Sequence, residues 1–319
     1  MSTVQSHEVG LDNRIAFSET LVNLAASNPK IVVVVSDSVG SSSLNSFKAT
    51  FPDRLINVGI AEQNLVGVGV GLANSGLTPF ICAASCFLTA RAMEQIKVDI
   101  AYSNAPAILC GMSPGVAYGE LGPTHHSIED LAWLRVIPNL TVAVPADAIE
   151  TENVVRWAAE ANKPTFIRVS RHKVPLLPGT ERTFVPGKAH TLIEGEDITI
   201  IALGTMVSAS LGAAEKLNTK GFRARVIHVT SLKPLDEELI IKSARETRRV
   251  ITVEEASTIG GLGGAVAELL ARSAPTPMRM VGIPGVFAPT GTVDFLFKHF
   301  GMTPEGISAT ALELISATS

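Results

Sequence analysis

Ile31-Val32-Val33-Val34-Val35 is the stretch from which the fold is read. Five consecutive β-branched residues leave no polar face, so a strand built from them has to be covered on both sides. That points to a parallel sheet between layers of helices rather than an antiparallel sheet with one wet face. Upstream, Ile15, Leu21, Val22 and Ala25 recur at a broadly helical period, and Asn28-Pro29 stops the helix this predicts over 14–27. Downstream, strands are expected at 55–58, 79–83, 107–110, 141–144 and 165–169, with helices over 88–102, 128–134 and 147–161. Ser127 followed by Asp130 reads as a capping box for the helix at 128–134.

Periodicity then breaks. Between 171 and 189 the chain carries Pro175, Pro178, Gly179, Pro186 and Gly187, the composition of an ordered linker. Beyond it the alternation resumes, with strands at 198–202, 224–229, 250–253 and 278–281 and helices over 208–220, 237–246, 265–273 and 293–300. The fold class is therefore α/β: two doubly wound α/β domains, 12–172 and a smaller one at 190–319, joined by a linker at 173–189. Gly260-Gly261-Leu262-Gly263-Gly264 leads into a helix of the second, where it serves either an anion or close packing of the helix entry.

Composition narrows the function. The chain has 319 residues, 46% hydrophobic and 18% charged, enough to stock the cores of two soluble domains. A net charge of -4 makes no case for nucleic acid or an anionic membrane as partner. Three cysteines, Cys82, Cys86 and Cys110, are an odd and sparse set, fitting buried thiols in a reducing compartment better than a disulfide framework or a metal site. Residues 1–9 are polar, carry Glu8 and lack the apolar core of a secretory signal. No apolar run approaches the ~20 residues that span a bilayer, so a cytoplasmic location is expected.

Several residues are candidates for chemistry. In Asn57-Val58-Gly59-Ile60-Ala61-Glu62-Gln63-Asn64, a short strand breaks at glycine and Glu62 opens an apolar helix. A carboxylate there is either a helix-end charge or a buried group with a partner, tuned for proton chemistry. Gly67 and Gly71 share one face of that helix, which predicts close approach of another helix. The loop Gly119-Glu120-Leu121-Gly122-Pro123-Thr124-His125-His126-Ser127 follows a strand end, where ligands gather in open α/β sheets. Its two histidines handle protons or serve the loop's own structure. Phe87 is a core aromatic or a stacking surface for a flat ring. Arg14 and Arg171, with Ser41-Ser42-Ser43 after Asp37, are surface charges unless the fold brings them together around a phosphate.

As a set, these motifs resemble a known family. Gly59-Ile60-Ala61-Glu62-Gln63-Asn64, Phe87 with Arg91 and Gln95, Gly122-Pro123-Thr124-His125 through Leu134-Arg135, the Ile137-Pro138-Asn139 turn and Ser170-Arg171 occur in the order and spacing of the C-terminal half of a transketolase, across about residues 12–319. The resemblance implies a pyrimidine-binding domain followed by a C-terminal domain, and thiamine diphosphate as cofactor. It implies that Glu62 hydrogen-bonds the aminopyrimidine and favours the imino tautomer that removes the thiazolium proton. Phe87 would stack on that ring, Asp37 would lie near the cofactor, and His125 would contact substrate oxygens. Arg14, Ser41 and Arg171 would hold a substrate phosphate. The family's Mg²⁺ and diphosphate site carries a Gly-Asp-Gly motif absent from this sequence. The resemblance thus implies one subunit of a split enzyme in carbohydrate metabolism, needing an N-terminal partner subunit that ligates Mg²⁺, with self-association into an α2β2 heterotetramer.

Departures from the family pattern bear on the sugar. Leu121 stands where an Asp that reads a hydroxyl is usual, Ser113 where a phosphate-binding His is common, and Ala84 where an aromatic often stands. The first reading is ketol transfer of two carbons from a ketose, in the usual case a phosphorylated one, to an aldose. The β subunit of a 2-oxo acid dehydrogenase, or a deoxyxylulose phosphate synthase-like enzyme, shares both domains and is the alternative. A non-enzymatic homologue is the third, against which Glu62 argues.

Overall fold

The computed structural model describes residues 11–178 and 183–318; the stretch 1–9 and Gly179, within the expected linker, lie outside them. Ile31–Val35 is a strand buried along its whole length, paired in parallel with Leu55–Asn57 on one side and Thr78–Ala84 on the other. Because a strand alternates its side chains, its residues feed two different cores. Ile31, Val33 and Val35 pack with Phe17 and Leu21 of helix Asn13–Ser27 and Val154 of helix Ala148–Ala161, while Val34 packs with Leu65 and Val66 of helix Glu62–Asn74. This is the covering on both faces that the valine run demands.

The full order of this seven-stranded sheet is Ser231–Lys233, Thr141–Ala143, Thr165–Val169, Ile108–Met112, Thr78–Ala84, Ile31–Val35, Leu55–Asn57. All neighbours are parallel except the first pair. A five-stranded sheet builds the second half, ordered Met278–Ile283, Val250–Ser257, Ile198–Ala202, Ala224–His228, His190–Ile193, with only the last strand antiparallel.

The expected separation of the halves is incomplete. Ser231–Lys233 leaves the second half to pair with Thr141–Ala143 and close the edge of the first sheet. Within the expected linker, Lys173–Val174 pairs antiparallel with Leu11–Asp12, and the Gly187 and Ala189 N–H groups donate to Ser231 Oγ and Asp236 Oδ2 at 3.1 and 3.0 Å. Strands of two or three residues are too short to show a hydrophobic period. The expected helix at 88–102 is interrupted: Ser85–Arg91 and Met93–Gln95 are α-helical, and Ile96–Tyr102 is a π-helix. A further helix, Pro304–Ala317, starts from the Thr303 cap and packs Ile307 and Leu314 beside Ala213 and Leu217 of helix Met206–Asn218. Its many small and polar residues blur the apolar stripe.

Other local expectations are corrected. Ser127 does not cap the helix, which is Asp130–Arg135, and the Asp130 carboxylate faces Arg168 instead. A Cβ on Gly67 or Gly71 would meet open space, so no helix among the described residues approaches there. The close neighbour is at Gly69, where a Cβ would come within 2.2 Å of Ile81 Cδ1. At the second glycine cluster, packing is the answer. Glu254 accepts N–H bonds from Leu262 and Gly263, both at 2.7 Å, so an internal carboxylate fills the helix entrance, and a Cβ on Gly261 would lie 2.1 Å from Glu254 Oε2. Burial pushes the Glu254 carboxyl up to about 7 against those two N–H groups.

A second buried carboxylate ties the halves. Glu150 bonds His228 Nε2 at 2.8 Å and accepts from Thr230 Oγ1 and from the Ala146 N–H. Burial opposes both charges, yet the imidazolium holds Glu150 below its ordinary 4.5 and the carboxylate holds His228 above its ordinary 6.5. The His228 contribution is therefore complete below its ordinary 6.5 and fades as pH rises through the raised value; that of Glu150 is complete above 4.5 and fades as pH falls. Urea unfolding at a series of pH values should show a wild-type advantage over His228→Gln that is level between about pH 4.5 and 6.5 and shrinks on the alkaline side. An advantage that grows with alkaline pH would mean that the imidazole is neutral in the folded chain.

Candidate active site

The carboxyl ends of the parallel strands bring the sequence candidates to one edge of the sheet. Asp37 follows Ile31–Val35, Glu62 follows Leu55–Asn57, Phe87 follows Thr78–Ala84, His125 lies in the loop after Ile108–Met112, and Arg171 follows Thr165–Val169.

Glu62 is the first residue of its helix, and its side chain is 3% exposed. Between the two readings of this carboxylate the structure chooses burial with a partner: Arg91 Nη1 donates to Glu62 Oε2 at 3.0 Å. The same guanidinium lies over the Phe87 ring, Cζ 4.3 Å from its centroid. Phe87 meets His125 edge-on at 5.2 Å, His125 meets Tyr118 at 6.0 Å, and the Arg171 guanidinium stands 4.9 Å from the Tyr118 centroid. Glu62, Phe87, His125 and Arg171 thus form one continuous line, linked by Arg91 and Tyr118. Thr124 Oγ1 engages His125 Nδ1 at 2.9 Å, which leaves Nε2 for a bound molecule. The histidine pair divides: His125 is half-buried on this line, whereas His126 is buried and its imidazole pushed below the ordinary value by desolvation.

The remaining candidates form two smaller groups. Arg14 donates to the Asp12 carboxylate through Nε and Nη2, at 3.1 and 2.5 Å, and to the Ser41 carbonyl at 2.8 Å. Ser41 therefore joins through its backbone, and the Arg14 charge is matched by Asp12. The ladder of Leu11–Asp12 against Lys173–Val174 carries Arg14 and Arg171 toward the same end, two residues beyond the Asp12–Lys173 pair on either strand. Asp37, at φ 54°, bonds Asn57 twice: its N–H donates to Asn57 Oδ1 at 2.9 Å, and Asn57 Nδ2 donates to its carboxylate at 3.1 Å. Asn57 Oδ1 also accepts from the Gly59 N–H at 3.0 Å, so Asp37 shapes the turn that leads to Glu62.

Both halves build the wall of the site. A cavity of about 420 Å³ is lined by Tyr118, Glu120, Leu121 and Arg171 on one side and by Thr292 and Val293 on the other. Leu121 is exposed there, while Ser113 is buried at the strand end with its N–H on the Val169 carbonyl. The Gly291 N–H donates to the Gly119 carbonyl at 3.0 Å, and a Cβ on Gly119 would lie 2.4 Å from the Gly291 oxygen, so this contact needs glycine.

One buried ion pair fixes the loops relative to each other. Arg168 Nε and Nη2 donate to Asp130 at 3.0 and 3.1 Å, and Nη2 also reaches the carbonyls of Ser127 and Glu255 at 3.1 and 2.9 Å. Asp130 in turn accepts from Ser85 Oγ at 2.9 Å, at the first residue of the helix that carries Phe87 and Arg91. Asp12, Tyr118 and the pairing of Asp130 with Arg168 stand outside what the sequence singles out, and Asn57 and Arg91, though within its motifs, carry no role there. Tyr118 left a signal, being one of two tyrosines in the chain and standing immediately before the glycine-bearing loop. Among the described residues no group of three or more His, Cys, Asp or Glu could hold a metal ion. No helix among them is long and apolar enough to cross a membrane.

Residues 9–175 match the family profile for the transketolase pyrimidine binding domain, and residues 187–307 that for the transketolase C-terminal domain. The chain is 44% identical over 303 residues to one of the subunits of the apulose-4-phosphate transketolase of Phocaeicola vulgatus, covering 95% of this chain and 97% of that protein. It is 36% identical over 313 residues to the 6-deoxy-6-sulfo-D-fructose transketolase subunit of a Clostridium species, with 97% of each covered. A 1-deoxy-D-xylulose-5-phosphate synthase of Heliobacterium modesticaldum is 38% identical over 304 residues, but this chain spans only 47% of it. Among solved structures, a split-gene transketolase in the form of an inactive β4 tetramer superposes with a TM-score of 0.89 at 41% identity, over 96% of this chain and 99% of that one.

Replacing Asp130 by Ala strands the Arg168 charge in the interior and should cost ~3–5 kcal/mol in urea unfolding. It should also loosen Ser85 and Ser127 together, seen as faster amide exchange in both the Phe87 helix and the His125 loop. Exchange raised in only one of them would refute a shared anchor.

Proposed function

Because this chain belongs to the transketolase family, carrying both its pyrimidine-binding and its C-terminal domain, we propose that it is the C-terminal subunit of a split, thiamine diphosphate-dependent transketolase. It transfers a two-carbon ketol unit from a ketose to an aldose, in the cytoplasm, and is active only with an N-terminal partner subunit that ligates Mg²⁺ and the diphosphate. Residues 12–172 form the pyrimidine-binding part, 173–189 the linker and 190–319 the C-terminal domain. Self-association to an α2β2 heterotetramer accompanies the pairing, and the open faces of Gly67 and Gly71 suit a close contact between copies.

The observation that carries the reading is the juxtaposition of a buried carboxylate and an aromatic face. Glu62 and Phe87 are spanned here by one planar guanidinium that bonds the first and stacks on the second. A flat heteroaromatic ring with nitrogen at its edge fits the same two partners, so the residues suit the aminopyrimidine. Thiamine diphosphate, when bound, supplies the carbanion stabilisation that ketol transfer needs. Glu62 holds a proton at the ring edge and orients the ring; its burial keeps that proton from exchanging freely with water. His125, through Nε2, bonds substrate oxygens beside the ring, and Asp37 steadies the approach through Asn57 and Gly59. Arg171 faces the cavity as the grip for an anionic end of the substrate. Arg14 and Ser41 contribute to that end less directly, since Asp12 already matches the Arg14 charge.

Reconstitution with the partner subunit tests this. Glu62→Gln should lower ketol transfer on the order of a hundredfold or more while the complex still assembles. Undiminished turnover would defeat the proton role. Pyruvate decarboxylation without ketol transfer would instead select the 2-oxo acid dehydrogenase or deoxyxylulose phosphate synthase-like alternative. A complex that assembles but turns over neither substrate would point to a non-enzymatic homologue.

A further inference from the structure

Arg91 occupies the heart of the site without a role in the chemistry above. Its Nη1 donates to Glu62 Oε2 at 3.0 Å, and its Cζ stands 4.3 Å from the Phe87 centroid. A guanidinium bonds along its edge and stacks by its face, and Arg91 uses both properties at once. The aminopyrimidine reading, on which this inference rests, asks the same two partners for the same two contacts. We infer that Arg91 is an internal occupant of the aminopyrimidine position in the cofactor-free subunit, and that it must swing out for the cofactor ring to enter.

The physical case has two sides. Glu62 is 3% exposed, and a buried carboxylate without a partner is severely penalised, so the free subunit needs an occupant. Arg91 is suited to leave. Its side chain is 49% exposed, and its charge is solvated once the long stem rotates outward. The helix Ser85–Arg91 also ends on this residue, with Ala92 at φ -100°, ψ 20° before the chain turns helical again, so the side chain hangs from a helix end rather than from the middle of a packed face. An internal occupant lowers apparent affinity by the fraction of molecules in which the site is closed. Arg91 is therefore a positioning residue for Glu62 in the empty state and a competitor of the cofactor, tying cofactor entry to a small local rearrangement.

Calorimetric titration of thiamine diphosphate with Mg²⁺ into the reconstituted complex provides the test, using wild type, Arg91→Met and Arg91→Lys. Removing the occupant with Met should tighten cofactor binding on the order of threefold to tenfold. Lys keeps the charge but loses the planar stack and should move affinity the same way by less, which decides the matter if the Met variant does not fold. In the isolated chain, Arg91→Met should unfold at a lower temperature than wild type, because the buried Glu62 carboxylate then loses its partner. Unchanged or weakened cofactor affinity in both variants overturns the inference. A wild-type complex that binds no thiamine diphosphate would instead remove the proposed function, and this inference with it.

Discussion

The ion pair between Arg168 and Asp130 is the constraint on which the arrangement depends. Both groups are buried, and a guanidinium in that position is tolerated only because its donors meet a carboxylate and two carbonyls. Those acceptors come from separate parts of the chain. Asp130 holds Ser85, which starts the helix of Phe87 and Arg91; Ser127 ends the loop of His125; Glu255 belongs to a strand of the other half. A single side chain on the strand Thr165–Val169 therefore sets the distance between the aromatic face, the histidine and the second sheet.

Around that anchor the halves behave as one unit. The strand Ser231–Lys233 completes the first sheet, Glu150 pairs with His228, and Gly291 bonds Gly119 at the rim of the cavity. The cavity wall is consequently built by both, with Thr292 and Val293 facing Arg171 and Tyr118. The C-terminal half thus has a direct part in shaping this cavity. The exposed Leu121 makes one stretch of this wall apolar.

How much of this was legible in the chain differs by element. Ile31–Val35 announced itself, because an unbroken β-branched run has only one comfortable environment. The long helix Asn13–Ser27 was legible from its period and stop signal, and Ala148–Ala161 as the helical stretch between two strands. Short or chemically atypical elements were not. Val250–Ser257 looked four residues shorter because it ends through Glu254 and Glu255, and charged residues read as surface until their partners are seen. Glu254 finds its partners just beyond the next turn, in the Leu262 and Gly263 N–H groups, whereas those of Glu255, Thr205 and the Val116 N–H, lie far along the chain.

For the site, the chain by itself determined the chemistry on offer: a carboxylate opening an apolar helix, an aromatic after a strand, a histidine loop and two arginines, in the order of one enzyme family. Sequence spacing carries that information because each residue follows a strand end, and parallel strands deliver their carboxyl ends to one edge. What only the tertiary structure decided is which of these groups meet. Arg14 is matched by Asp12, Asp37 works through Asn57, and Glu62 reaches Phe87, His125 and Arg171 only through Arg91 and Tyr118. Several of these pairings, Asp37 with Asn57 and Glu62 with Arg91 among them, join residues twenty or more positions apart across a few ångströms, and the desolvation that makes a carboxylate reactive exists only once the chain has closed around it.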